Sequence, residues 1–168
     1  MKILIYGAGV LGSLYAVRLA QAGYDVTILA RSQRLADLRA RGIVLVDSHT
    51  GQQTTTRVNV VEQLAPEDAY DLIIVLMRRN QVDAILPALA SNRHTPSILF
   101  MTNNAAGAAT YVAALGTERV LLGFPGAGGV RAGRCNAPTQ RRAGRLSGSP
   151  TTISAWRSTS AAVCTSTR

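Results

Sequence analysis

Lys2-Ile3-Leu4-Ile5-Tyr6-Gly7-Ala8-Gly9-Val10-Leu11-Gly12 decides the reading of this chain. Ile3 to Tyr6 is an unbroken apolar run, the pattern of a short buried strand. It stops at a hexamer with GxGxxG spacing. A segment of helical period follows, with Val10, Leu11, Leu14 and Val17 apolar and Arg18 and Gln21 polar. A glycine hexamer alone is also a plain turn in an α/β protein, and that alternative stands. The full strand–loop–helix order favours a dinucleotide-binding loop. Gly7 permits the tight turn, Gly9 lets the backbone approach a pyrophosphate, and Gly12 lets the helix pack close to the strand. The helix N-terminus adds free N–H groups and a partial positive charge.

Working outward, strand-like and helix-like segments alternate. The first helix spans 10–22, and Gly23 stands where a left-handed residue ends a helix. A strand at 26–30 is followed by a helix from 32 to 41, with Ser32 as its candidate N-cap. Residues 43–46 and 55–61 read as two strands of a hairpin insertion around Ser48-His49-Thr50-Gly51. The run 71–77 is apolar after Asp71, as in a parallel strand covered on both faces. A helix at 80–90 carries Pro87, which predicts a kink. A strand at 97–101, a helix at 105–115 and a strand at 119–124 complete the series. This alternation predicts an α/β, doubly wound, mostly parallel sheet with helices on both faces, the Rossmann type.

The chain's 168 residues suit one domain of ordinary size. No stretch approaches the ~20 apolar residues of a membrane span. The apolar run before Gly7 is too short for a signal peptide, so a cytoplasmic location is expected. Cys135 and Cys164 form no CxxC pair, and His49 and His94 are remote from both, which argues against a zinc site or a disulfide framework. Through residue 130 there are eleven cationic side chains against nine acidic ones, a net of +2. Beyond it lie seven arginines and no acid. Residues 1–131 therefore read as the dinucleotide-binding domain. Residues 132–168 read as an irregular, disordered tail rich in Arg, Ser and Thr, without a core of its own.

The end of the second strand selects the cofactor. NAD-preferring domains place Asp or Glu there, about 20 residues past the loop, for the ribose 2′-hydroxyl. This chain has Ala30-Arg31-Ser32. The Arg31 guanidinium matches a 2′-phosphate in charge and donor geometry, which points to NADP(H). A solvated surface arginine is the alternative. Ligands in such folds bind at the carboxyl ends of strands. Arg78, Arg79, Asn80 and Gln81 follow one strand there, and Asn103 and Asn104 another. Each set either caps its helix or contacts ribose, carboxylate or carbonyl groups.

Met1 to Gly12, the Arg31 strand end, Met77-Arg78-Arg79-Asn80-Gln81, Asn103-Asn104 and the glycine-rich 123–129 segment together resemble the N-terminal domain of the ketopantoate reductase (2-dehydropantoate 2-reductase) family. The resemblance covers about residues 1–131. It implies NADPH-dependent reduction of an α-keto acid on the pantothenate route. It also implies that Gly7, Ala8, Gly9, Val10, Leu11 and Gly12 hold the pyrophosphate and Arg31 the 2′-phosphate. Asn104 falls between nicotinamide ribose and substrate, and Gly129 along the cofactor. Arg78 stands where the family often has lysine, keeping the charge but not the point-donor geometry.

The family also has a second, helical domain, which supplies a lysine as general acid. Nothing after residue 131 resembles it, so a truncated or frame-shifted chain is expected. The chain's one lysine is Lys2. About four residues at ~3.3 Å each separate it from the strand's carboxyl end, too far for a proton donor. Arginine holds its proton too tightly to replace lysine. No catalytic residue is therefore assigned. Three functions compete: a ketopantoate reductase-like or other NADP-dependent enzyme, an NADP(H)-binding module without turnover, and a nucleic-acid binder acting through the arginine tail. With one aromatic residue, Trp156, and no recognisable motif, the tail gives the third little support.

Overall fold

The computed structural model describes residues 1–47, 50–132 and 160–164. Strands β1 (Lys2–Tyr6), β2 (Asp25–Leu29), β5 (Asn59–Val61), β6 (Leu72–Val75), β7 (Ile98–Met101) and β8 (Val120–Gly123) form a six-stranded sheet. Their order is β5-β2-β1-β6-β7-β8, and every pairing is parallel. This is the doubly wound arrangement, with the strand order reversing direction between β1 and β6. Helices α1 (Val10–Gln21) and α2 (Ser32–Arg41) follow β1 and β2. Helices α3 (Arg79–Val82), α4 (Leu86–Ser91) and α5 (Ala109–Leu115) follow β6 and β7.

Strand periodicity divides the core into two layers. Ile3 and Ile5 point to one face and pack with Leu14 and Val17 of α1 and Leu35 and Leu38 of α2. Leu4 and Tyr6 point to the other and pack with Val82, Leu86, Leu89, Tyr111 and Leu115. In β6 the same division sends Ile74 to the first layer and Ile73 and Val75 to the second. An apolar residue at every position is what a strand covered on both faces requires. Among the described residues no helix is long and apolar enough to cross a membrane.

Several boundaries differ from the sequence reading. The expected strand 55–61 is two strands. Gln53–Thr56 is β4, paired antiparallel with β3 (Ile43–Asp47), while β5 pairs with β2 in the main sheet. The chain leaves one sheet for the other at Arg57, so a single strand cannot span both. The expected helix 80–90 is likewise broken into α3, a 3₁₀ turn at Asp83–Ile85, and α4. Pro87 then falls in the first turn of α4, where its missing N–H costs nothing. Helix α5 begins at Ala109 instead of 105. Gly23 has the expected left-handed backbone, at φ +87°. Ser32 does not cap α2: Arg31 occupies the N-cap and makes no side-chain cap bond, and Ser32 itself has φ +50°.

A second, four-stranded sheet runs β4-β3-β10-β9, with β9 at Gly128–Ala132 and β10 at Ser160–Cys164. Its strands β3, β9 and β10 contact α1. Strand β10 is antiparallel to β3 and parallel to β9. The described part of the expected irregular tail is thus a strand. Strands β3 and β9 offer edges that β10 fills, and backbone pairing needs no periodic apolar pattern, only a segment whose N–H groups are not removed by Pro. The rest of the tail, 133–159 and 165–168, lies outside the described residues.

Candidate functional site

The glycine loop opens at the carboxyl end of β1, where the strand order reverses. Its three glycines meet different surroundings. Gly7 has φ +122°, and a β-carbon there would lie 2.5 Å from the Leu76 carbonyl oxygen. A β-carbon on Gly12 would lie 1.8 Å from the Gly7 carbonyl oxygen. At both positions helix, loop and strands approach so closely that a side chain has no room. Gly9 has an ordinary extended backbone, and a β-carbon there would meet nothing within 4 Å. Open space beside Gly9, at the N-cap of a helix with no acid in its first turn, fits a pyrophosphate approaching the backbone. Ala8, Val10 and Leu11 pack partly against the core behind the loop.

Arg31 extends from the end of β2. Its Nη2 donates to the Tyr6 hydroxyl at 3.4 Å, which draws the guanidinium toward the end of β1 while leaving it solvent-exposed. Arg34, one helical turn on, escaped the sequence reading. Its Nε donates to the Ala8 carbonyl at 3.3 Å and its Nη2 to the Ser13 hydroxyl at 2.9 Å. The signal for it was its nearness to Arg31, three positions earlier at the N-cap, which puts both arginines at the start of α2. Burial, then the like charge of Arg131, lowers the Arg34 pKa, with Asp37 opposing. The group nonetheless stays cationic at neutral pH.

On the other side of the switch point, Arg78 is exposed at the N-cap of α3. Its neighbour Arg79 makes the contacts. Nε donates to Asn104 Oδ1 at 3.4 Å, Nη1 donates to both Asp83 carboxylate oxygens at 2.9 and 3.0 Å, and the guanidinium lies over the Tyr111 ring. The Asp83 bond raises the Arg79 pKa above its usual value. The Asn104 Nδ2 donates to the Gly107 carbonyl. Asn104 is thus fixed at both ends of its amide and joins the ends of β6 and β7. Asn103 is exposed and does not cap α5, whose N-cap is Ala108. Gly129 lies in β9 of the smaller sheet, exposed and in register with Ala161. Lys2 is at the opposite end of β1, its backbone N–H donating to Asp71 Oδ2 at 2.6 Å and its Nζ 4.9 Å from the Tyr70 ring centroid.

The family model described as ketopantoate reductase PanE/ApbA matches residues 3–149. The chain belongs to the ketopantoate reductase family. The match runs past Arg131, where the composition changes. A 2-dehydropantoate 2-reductase of Pyrococcus abyssi is 35% identical over 97 residues, covering 56% of this chain and 29% of that protein. The solved 2-dehydropantoate 2-reductase of Methylococcus capsulatus is 27% identical with a TM-score of 0.59, covering 74% of this chain and 40% of that one. A D-mandelate dehydrogenase solved with NADH and anilino(oxo)acetate is 25% identical with a TM-score of 0.64, again covering 74% and 40%. This ketopantoate reductase family chain therefore spans well under half the length of these relatives. The family is one of nicotinamide-dependent oxidoreductases with a Rossmann-type fold.

Proposed function

We propose that this chain forms the NADPH-binding part of a reductase that converts 2-dehydropantoate to pantoate for pantothenate synthesis. One observation carries the reading: open space at Gly9 beside an acid-free helix N-terminus, with Arg31 at the neighbouring strand end where an NAD-selecting acid would stand. Residues 7–12 hold the pyrophosphate through backbone N–H groups. Arg31 holds the 2′-phosphate as a charged donor. Arg78 and Asn104 serve the nicotinamide ribose, Asn104 also faces the keto acid, and Gly129 lies along the cofactor. NADPH, when bound, supplies the hydride.

Among the described residues, those at the site orient cofactor and substrate, and none is assigned as a general acid. Lys2 is committed to the amino end of β1, against Asp71 and Tyr70, a strand's length from the glycine loop. The same observation favours a second reading, in which this chain alone binds NADP(H) without turnover. Fluorescence titration with NADPH and NADH tests the shared premise. Saturable binding with NADPH preferred is expected, and binding of neither would overturn both readings.

A further inference from the structure

Arg34 ties three parts of the crevice together. It rises from α2, and its two donor groups engage Ala8 inside the glycine loop and Ser13 in the first turn of α1. Ser13 is fully buried, so that end of the guanidinium is anchored in the fold. The other end acts on a peptide that matters. The described chain has no cis peptide bond, and in a planar trans peptide the C=O and N–H point in opposite directions. Drawing the Ala8 carbonyl toward α2 therefore turns the Gly9 N–H away from α2, at the residue with open space beside it.

We infer that Arg34 is a positioning residue for the dinucleotide: through the Ala8 carbonyl it aims the Gly9 N–H at the pyrophosphate. The inference rests on the dinucleotide-binding reading above and separates two tasks at the start of α2. Arg31 recognises the 2′-phosphate, and Arg34 prepares the loop for the pyrophosphate. The like charge of Arg131 toward Arg34 supports the assignment, because an anion bound nearby relieves that repulsion. Guanidinium is suited to the task, since its planar fork reaches two acceptors at fixed angles where an ammonium is a single point.

Two fragments separate the tasks. ADP-ribose carries the pyrophosphate without a 2′-phosphate, and 2′-AMP carries the 2′-phosphate without a pyrophosphate. Both are titrated by NMR against the full chain, Arg34→Gln, Arg34→Lys and Arg31→Ala. Both Arg34 variants are expected to bind ADP-ribose roughly tenfold more weakly, as for loss of one charge-assisted hydrogen bond, with 2′-AMP binding unchanged. Arg31→Ala shows the reverse. Equal loss of both fragments in Arg34→Gln, loss of 2′-AMP alone, or no loss would each overturn the inference. So would full recovery in Arg34→Lys, which would mean that charge alone matters. If the glutamine variant fails to fold, the lysine variant decides. Failure of the unaltered chain to bind ADP-ribose would instead overturn the dinucleotide reading.

Discussion

The carbonyl oxygen of Gly7 stands where a side chain on Gly12 would begin, only 1.8 Å from the β-carbon position. The last glycine of the motif thus serves the fold, whereas the middle one, with open space at its β-carbon, is the one proposed to serve the ligand. Gly12→Ala should push α1 off the loop at a cost at or above the ~3 kcal/mol upper end of ordinary overpacking. A fall of roughly 10 °C in melting temperature is expected. Gly9→Ala meets open space and an extended backbone that alanine accepts, so its melting temperature should not fall. Its NADPH affinity should drop about tenfold or more, as for loss of a hydrogen bond to a charged group. Calorimetry and titration of both variants check this. A Gly9→Ala protein with intact affinity would sink the assignment of Gly9.

Arg31→Ala should weaken NADPH binding by about 10- to 150-fold, the range for one charge-assisted hydrogen bond. NADH binding should change little, because NADH lacks the phosphate. Arg31 is exposed, so salt should screen the difference between the cofactors. Titrations of both cofactors at low and high salt give the answer. Equal losses for the two would make Arg31 structural.

The purified chain should bind NADPH yet oxidise it negligibly with 2-dehydropantoate. Binding needs only the loop and strand ends, whereas turnover also needs a proton donor, and a positioned general acid typically contributes ~10²–10⁴-fold. Steady-state absorbance of NADPH with excess keto acid is the measurement. Robust turnover would mean that another group delivers the proton.

Stability should fall at alkaline pH through Tyr70. Burial, then the neighbouring Asp68 carboxylate, raises its phenol above the ordinary value of 10.0, with a Thr27 hydrogen bond opposing. A raised native pKa favours the protonated native state. The contribution is therefore complete below about pH 10, the unfolded value, and is lost as pH rises through the higher native one. Tyr70→Phe keeps the ring beneath Lys2 and removes the titration. Urea unfolding across pH 8 to 11 should show a shallower alkaline decline in the variant. Parallel profiles would refute the role of Tyr70.

Much of the architecture was legible because its signals are local. The run from Ile3 to Tyr6, the glycine spacing and the helical pattern after Val10 lie within one short stretch, and the physics of turn and helix dipole acts at that range. The family resemblance was carried by the same kind of ordered local motifs. What escaped was non-local. Nothing in residues 53–61 marks where one strand ends and another begins, because the break arises from pairing with two different sheets. Pro87 announced a disturbance without saying that the helix would restart there. Five residues in a stretch read as irregular form β10, because a strand can be recruited by free edges far away in sequence.

The site divides in the same way. Gly7, Gly9, Gly12 and Arg31 could be named as candidates because motif spacing and strand-end position single them out through backbone geometry that any such loop must share. Arg34, and the choice of Arg79 over Arg78 as the residue that meets Asn104, were not. Those side chains find acceptors 25 or 26 positions away in the chain, at Asn104 and Ala8, and such partners become neighbours only when parallel strands bring their carboxyl ends together. Local sequence sets which backbone groups can face a dinucleotide. The folded sheet decides which guanidinium reaches the loop, because a long flexible side chain takes its direction from whatever packing puts within its reach.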